Sequence, residues 1–258
     1  EWVKNRECIP DEVYQKYFRH FNPDLYDPVA WARAAKNAGM KYFVITTKHH
    51  EGFCLWDTEQ TDYKVTNTPY GKDLIGPEVE AFRAEGLHVG FYYSLIDWHH
   101  PEFPVDRIHP MRDNQAFREA HADRDVSEYA AYMRAQLREL MTWFGQIDEL
   151  FLDFSYPGED GKGREDWQSK ELVQMIRELQ PNILINDRAD LMEYDWGWDF
   201  TTPEQFMLRD WAQVNGQRVL WETCQTFSGS WGYHRDEASW KSLGQLVRML
   251  VDTVSKGG

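Results

Sequence analysis

The chain has 258 residues, 42% of them hydrophobic and 15% aromatic, with a formal net charge of −15 and a pI near 5.0. This length suits one large domain with a substantial core. The acidic balance argues against a nucleic-acid partner, which needs clustered Lys and Arg, and gives no attraction to an anionic membrane surface.

In chain order, strand-like apolar runs alternate with helical patterns. The amphipathic stretch 28–39, closed by Gly39, precedes "KYFVITTKHH" (41–50). A second helical stretch, 76–86, precedes "HVGFYYSL" (88–95). A long helical segment over roughly 114–143 precedes "DELFLDF" (148–154). Helix 165–181 precedes "NILINDR" (182–188), then come "QRVLWETC" (217–224) and a final helix over 238–257. Nearly continuous apolar strands separated by helices predict a parallel sheet buried on both faces, hence an α/β fold. The alternation alone fits either a doubly wound sheet or a barrel. No G-x-G-x-x-G or G-x-x-x-x-G-K-[ST] occurs, which removes support for nucleotide binding.

The placement of polar residues favours a (β/α)8 barrel. His49-His50, Tyr93-Ser94, Asp153, Asn186-Asp187-Arg188 and Glu222-Thr223 all fall at the C-terminal ends of their strands, the rim that builds an active site in such barrels. The loops 99–113 and 189–216 are long enough to carry function. Cys8, Cys54 and Cys224 are too widely spaced for a disulfide framework or a zinc motif, and no run of 18 apolar residues suggests a membrane span. The chain opens on "EWVKN" without methionine and closes on "SKGG". It is therefore expected to be a piece of a longer protein, cut at its N-terminus; no signal peptide is read within this stretch, and cytoplasmic and secreted locations both stay open.

Three groups of residues carry candidate chemistry. The pair His49-His50 has three readings: a metal site, a structural role, or hydrogen bonding to a polar substrate. Alternation along a strand predicts that only one of the two faces a given site. Asp153 ends an apolar strand, where an ionised carboxylate can act as nucleophile or base beside a protonated partner; its structural alternatives are a helix N-cap or an ion pair with Arg188. Glu204 in "TTPEQF" and Glu222 in "LWETC" are the candidate partner carboxylates. Trp56, Tyr92, Tyr93, Trp98, Trp231 and Tyr233 serve either the core or an aromatic surface for sugar C–H faces. No Ser-His-Asp arrangement is supported, since G-x-S-x-G is absent.

Taken together, "EW", "KYFVITTKHHEGFCLWDTEQTDY", "GFYYSLIDWHHP", "ELFLDFSYPG", "ILINDR", "TTPE" and "WETC…SWGYHRDE", in this order over nearly the whole chain, resemble the α-L-fucosidases of glycoside hydrolase family 29. The resemblance implies an exo-acting retaining hydrolase of terminal α-L-fucose that needs no cofactor and no metal and takes a fucosylated oligosaccharide or glycoconjugate. It implies Asp153 as nucleophile and Glu204 as acid/base, with Glu222 as the rival because it sits at a strand end. It implies sugar contacts from Glu1, Trp2, His49, His50, Arg188 and Tyr93 (or Tyr92), with Trp56, Phe151 and Trp231 as further aromatic contacts. Family members also carry an H-W-G strand before the E-W pair and an N-x-L-L-N strand after K-G-G, both missing here. The expectation is one catalytic barrel domain over 1–258, a fragment without its first and last strands and without a second domain. The alternative is a truncated barrel that binds fucose or another carbohydrate without hydrolysing it.

Overall fold

The computed structural model describes residues 2–258, so Glu1 lies outside the described residues. The chain divides into two units, one reaching Leu191 and one spanning Met192–Gly258. In the first, short helices α1 (Trp2–Arg6), α2 (Asp11–Tyr14) and α3 (Lys16–His20) lead into α4 (Pro28–Asn37). Asp27 caps α4 by accepting from the Ala30 N–H at 2.9 Å, Pro28 takes the first position, and Gly39 at φ +81° follows its end. Then come β1 (Tyr42–Lys48), α5 (Ile75–Ala84), β2 (His88–Ser94), α6 (Gln115–Ala120), α7 (Val126–Trp143), β3 (Glu149–Asp153), α8 (Arg164–Trp167), α9 (Ser169–Leu179) and β4 (Leu184–Ile185).

The four strands form one parallel sheet in the order β1-β2-β3-β4, as the α/β expectation requires. Register explains its two faces. Tyr92 pairs with Phe151 and Ser94 with Asp153, so these four side chains share one face. Phe91, Tyr93, Leu150 and Leu152 share the other and are fully buried, as are Met133, Leu137 and Leu140 of α7. Each large apolar side chain buried there contributes about 1.5–3 kcal/mol.

Several predicted elements are shorter than expected: the helix over 165–181 is broken at Gln168 (φ +49°), and the final helix starts at Leu243, where Ser242 caps it, rather than at 238. The helix over 114–143 is two helices, because Asp125 caps a new start by accepting from the Ser127 N–H at 2.8 Å. The strand over 182–188 ends at Ile185, because the buried Asn186 side chain takes over the ladder. Its Oδ1 accepts from the Leu152 N–H at 3.0 Å and its Nδ2 donates to the Leu152 carbonyl at 2.8 Å. Asp187–Ala189 then form a 3-10 turn.

In the second unit, "QRVLWETC" splits between two pairings. β6 (Gln213–Val214) and β7 (Gln217–Arg218) make a hairpin around Asn215-Gly216, both at positive φ, the Asn-Gly signature of a two-residue turn. β5 (Phe200–Thr201) pairs in parallel with β8 (Leu220–Trp221), and α10 (Leu243–Ser255) ends the chain. Among the described residues no helix is long and apolar enough to cross a membrane.

Candidate active site

Asp153 sits at the last position of β3, only 7% exposed, and both carboxylate oxygens are engaged. Arg188 Nη1 donates to Oδ1 at 2.5 Å and the Tyr92 hydroxyl to Oδ2 at 2.5 Å. Arg188 reaches it because the Asn186 ladder contact ends β4 and starts the 3-10 turn beside the tip of β3. Its guanidinium lies 4.8 Å from the centre of the Phe151 ring, which stacks on Tyr92 at 5.6 Å. A cation and a phenol O–H donating to one carboxylate both favour its charged form over its protonated one. Asp153 and Arg188 open on a cavity of about 450 Å³, whose wall also includes Phe154, Tyr156, Asp187 and Asp190. That volume lies within the usual range for a small-molecule site.

The two histidines follow the end of β1 rather than lying in it, so strand alternation no longer separates them. Their rings are 4.0 Å apart, and ligand atoms of both lie within 4.8 Å of Asp153. His49 Nδ1 accepts from the His50 N–H at 2.8 Å. Burial pushes the His49 pKa down to about 3, so the neutral ring carries its proton on Nε2. Nε2–H then faces the Tyr92 hydroxyl at 3.1 Å, which in turn donates to Asp153, giving a directed chain His49–Tyr92–Asp153. His50 is likewise neutral: burial, then His49 and Lys48, holds its pKa well below the usual value. Its Nδ1 lies 2.6 Å from Ser94 Oγ.

These donors fit a hydrogen-bond network better than a metal centre. The atoms of Asp153 that would meet a cation already hold Arg188 and Tyr92, and His49 turns one nitrogen to the backbone.

An aromatic wall adjoins the polar cluster. Trp2 makes ring contacts with His50 (5.1 Å), Trp98 (5.9 Å) and Phe154 (5.5 Å). Phe154 follows Asp153 at φ +78°, a conformation that costs a non-glycine residue roughly 1–2 kcal/mol and gathers at functional sites. Behind the cluster, the fully buried Lys48 pairs with Asp97 at 3.2 Å, and Asp97 Oδ1 accepts the N–H groups of His99 and His100. That ion pair ties the start of loop 99–113 to the end of β1.

The family model described as Alpha-L-fucosidase matches residues 3–258. The chain belongs to the α-L-fucosidase family. It is 52% identical to α-L-fucosidase isoenzyme 1 from Paenibacillus thiaminolyticus, covering 100% of this chain and 62% of that one with a TM-score of 0.94. It is 27% identical, with a TM-score of 0.84, to a Lactobacillus casei α-L-fucosidase in complex with α-L-fucose product, over 99% of this chain and 77% of that one. The α-L-fucosidase of Dictyostelium discoideum is 26% identical over 254 residues, 95% of this chain and 50% of the relative. The chain thus spans about half the length of such curated fucosidases.

Of the residues expected to contact sugar in this family, Trp2, His49, His50, Phe151 and Arg188 gather around Asp153. Tyr93 does not. It lies on the opposite face of β2, fully buried, with its hydroxyl donating to Gln136 Oε1 of α7 at 2.7 Å; Tyr92 takes the place beside Asp153. Trp56 is also fully buried, its Nε1–H donating to Glu139 of α7 at 3.0 Å. The ion pair with Arg188, read from the sequence as a structural alternative for Asp153, is present, but at a cavity wall rather than sealed in the core.

In the second unit, Glu204 is exposed beyond β5 and bridges in parallel to Cys224; Glu222 follows β8, half-buried, its N–H donating to Thr201. Trp231 is 53% exposed. Phe154 is a neighbour of the site that sequence reasoning did not assign to it, while Trp98 and Asn186, named there as a candidate aromatic and a rim residue, take the places of a ring against Trp2 and of a ladder partner to Leu152. The alternation of "GFYYS" could have selected Tyr92, since it shares a face with Ser94.

The contrast gives a direct test. Tyr92→Phe removes the O–H that charge-assists Asp153 and is expected to lower turnover of a fucoside about 10–100-fold. Tyr93→Phe is expected to leave turnover unchanged and to cost about 1 kcal/mol of stability through Gln136. Paired rate and thermal-unfolding measurements separate the two.

Proposed function

We propose that the chain is the catalytic part of an exo-acting α-L-fucosidase that hydrolyses terminal α-L-fucose from oligosaccharides or glycoconjugates with net retention. The observation that carries this reading is Asp153, accepting from Arg188 and Tyr92 at the wall of a cavity. Asp153 attacks the anomeric carbon and forms a glycosyl-enzyme; a second carboxylate protonates the leaving oxygen and then activates water. Glu204 takes that acid/base role, with Glu222 as its rival. Neutral His49 and His50 and the Arg188 guanidinium hold sugar hydroxyls, and Trp2 and Phe151 offer apolar surface to the ring and its methyl group. The fold that supports this chemistry is a (β/α)8-like catalytic barrel, incomplete within 1–258 and forming one catalytic domain. The solvent-exposed Leu243, Leu250, Val251 and Val254 of α10 are in keeping with such an incomplete barrel.

The test is an aryl α-L-fucoside with the product anomer followed by NMR. Release of phenol with α-fucose as the first product is expected; binding of fucose without turnover would indicate the non-catalytic carbohydrate-binding barrel instead.

A further inference from the structure

Phe154, Ser155, Tyr156 and Pro157, the four residues that follow Asp153, all line the cavity on which it opens. Their anchorage comes from another loop. The Tyr156 hydroxyl donates to Oδ2 of Asp106, a buried residue of the loop 99–113 that follows β2. The same oxygen accepts from Nζ of the buried Lys162, while Oδ1 takes the Ile108 N–H at 3.1 Å. Burial, and then the Asp106 charge, holds the Tyr156 pKa far above its usual value, so the phenol stays a donor. Burial also pulls the Lys162 pKa down, and Asp106 opposes that.

The backbone is fastened at the same place. Tyr156 and Lys162 exchange backbone hydrogen bonds at 2.8 and 3.1 Å, which closes the loop between them. Arg107, the neighbour of Asp106, donates to the carbonyls of Glu159 at 2.6 Å, Tyr156 at 3.0 Å and Pro157 at 3.3 Å. On the side of Asp153, the Phe154 ring packs against Tyr156 at 5.6 Å and against His50 at 5.1 Å. Loop 99–113 therefore reaches the cavity through Tyr156. A buried ion pair is a weak source of stability, because desolvation offsets its attraction, so stability alone is a poor account of Asp106 and Lys162.

We propose that Asp106 is a positioning residue for the site: through the Tyr156 hydroxyl, with Lys162 as counter-charge, it holds the wall 154–157 in the shape that receives the sugar. Asp106 does not touch substrate; it acts through Tyr156, whose ring forms part of the cavity. Ring packing limits where an aromatic side chain lies, but a charge-assisted hydrogen bond at its tip also fixes its direction. The sugar as ligand rests on the fucosidase reading above; the anchorage of the wall does not.

The experiment measures KM and kcat for an aryl α-L-fucoside, fucose affinity by calorimetry, and amide hydrogen exchange over 154–157 in three variants. Asp106→Asn with Lys162→Met removes both charges but keeps an acceptor for the hydroxyl. Asp106→Leu with Lys162→Met removes the charges and the acceptor. Tyr156→Phe removes the hydroxyl alone and leaves the ion pair. The first is expected to stay within about twofold of the unaltered protein in KM. The other two are expected to raise KM and the fucose Kd about 5–20-fold, with kcat changed less than about threefold. They are also expected to speed exchange at 154–157. If Asp106→Leu with Lys162→Met fails to fold, Tyr156→Phe decides. A lowered Tm with KM and exchange unchanged in Tyr156→Phe overturns the proposal, since the contact would then serve stability only. Equal rises in KM for the two double variants overturn it too, because the acceptor would not matter. If the unaltered protein neither hydrolyses the fucoside nor binds fucose, the fucosidase reading fails. The exchange comparison then decides alone: faster exchange in Tyr156→Phe supports the anchored wall, and unchanged protection overturns it.

Discussion

Replacing Asp153 by alanine is expected to lower turnover of an aryl α-L-fucoside by at least about 10⁴-fold, equivalent to ~5.5 kcal/mol of transition-state stabilisation. The size follows from the role: without the carboxylate no glycosyl-enzyme forms, and positioning and hydrogen bonding alone remain. Folding should survive, because Asp153 lies at a cavity wall rather than under the helices. Its removal does leave Arg188 without its Oδ1 partner at 2.5 Å, so a drop of a few degrees in Tm is expected as well. Fucose binding should persist in the variant, carried by His49, His50 and Arg188. A loss of binding equal to the loss of rate would instead mean that Asp153 serves only to hold Arg188.

The second large effect falls on the acid/base. Glu204→Ala is expected to slow a fucoside with a poor leaving group about 10²–10⁴-fold, and one with an activated phenol much less, because only the former needs protonation. Azide then restores turnover and yields a fucosyl azide of retained configuration, since this anion attacks the glycosyl-enzyme without a base. Glu222→Ala should show neither rescue nor azide product. Rescue of Glu222→Ala alone would transfer the role to that residue. Its half-buried place after β8 makes it the reasonable rival, whereas Glu204 is exposed on the strand-end segment that bridges to Cys224.

Much of the site around Asp153 was legible because polar residues closing apolar runs are costly unless they serve something. That reasoning found His49, His50, Asp153 and Arg188, and the wording of the motifs added Trp2 and Phe151. It failed where the answer depended on register. Tyr92 and Tyr93 are equivalent as letters, and only the pairing of Tyr92 with Phe151 and of Ser94 with Asp153 decides which one meets the carboxylate. It failed also for Trp56, whose motif is as specific as any other but whose ring is anchored in the core by Glu139. The strand-alternation rule misjudged the histidine pair because β1 ends one residue before it. Asn186 was placed at the rim, but its ladder role was not readable: a side chain standing in for a strand's backbone leaves no periodic trace. In the fold, the parallel α/β pattern was readable from near-continuous apolar strands. The break between α6 and α7 could have been read from the polar run "HADRD", and the β6–β7 hairpin from Asn-Gly.

The central claim is that Asp153 forms the covalent bond to the sugar. Incubation with a 2-deoxy-2-fluoro-fucosyl reagent carrying a good leaving group, followed by peptide mapping, tests it most directly. The account predicts one fucosyl label, on the peptide containing "ELFLDFSYPG" and at Asp153, absent in Asp153→Ala. A label on Glu204, Glu222, Asp187 or Asp190 would contradict it.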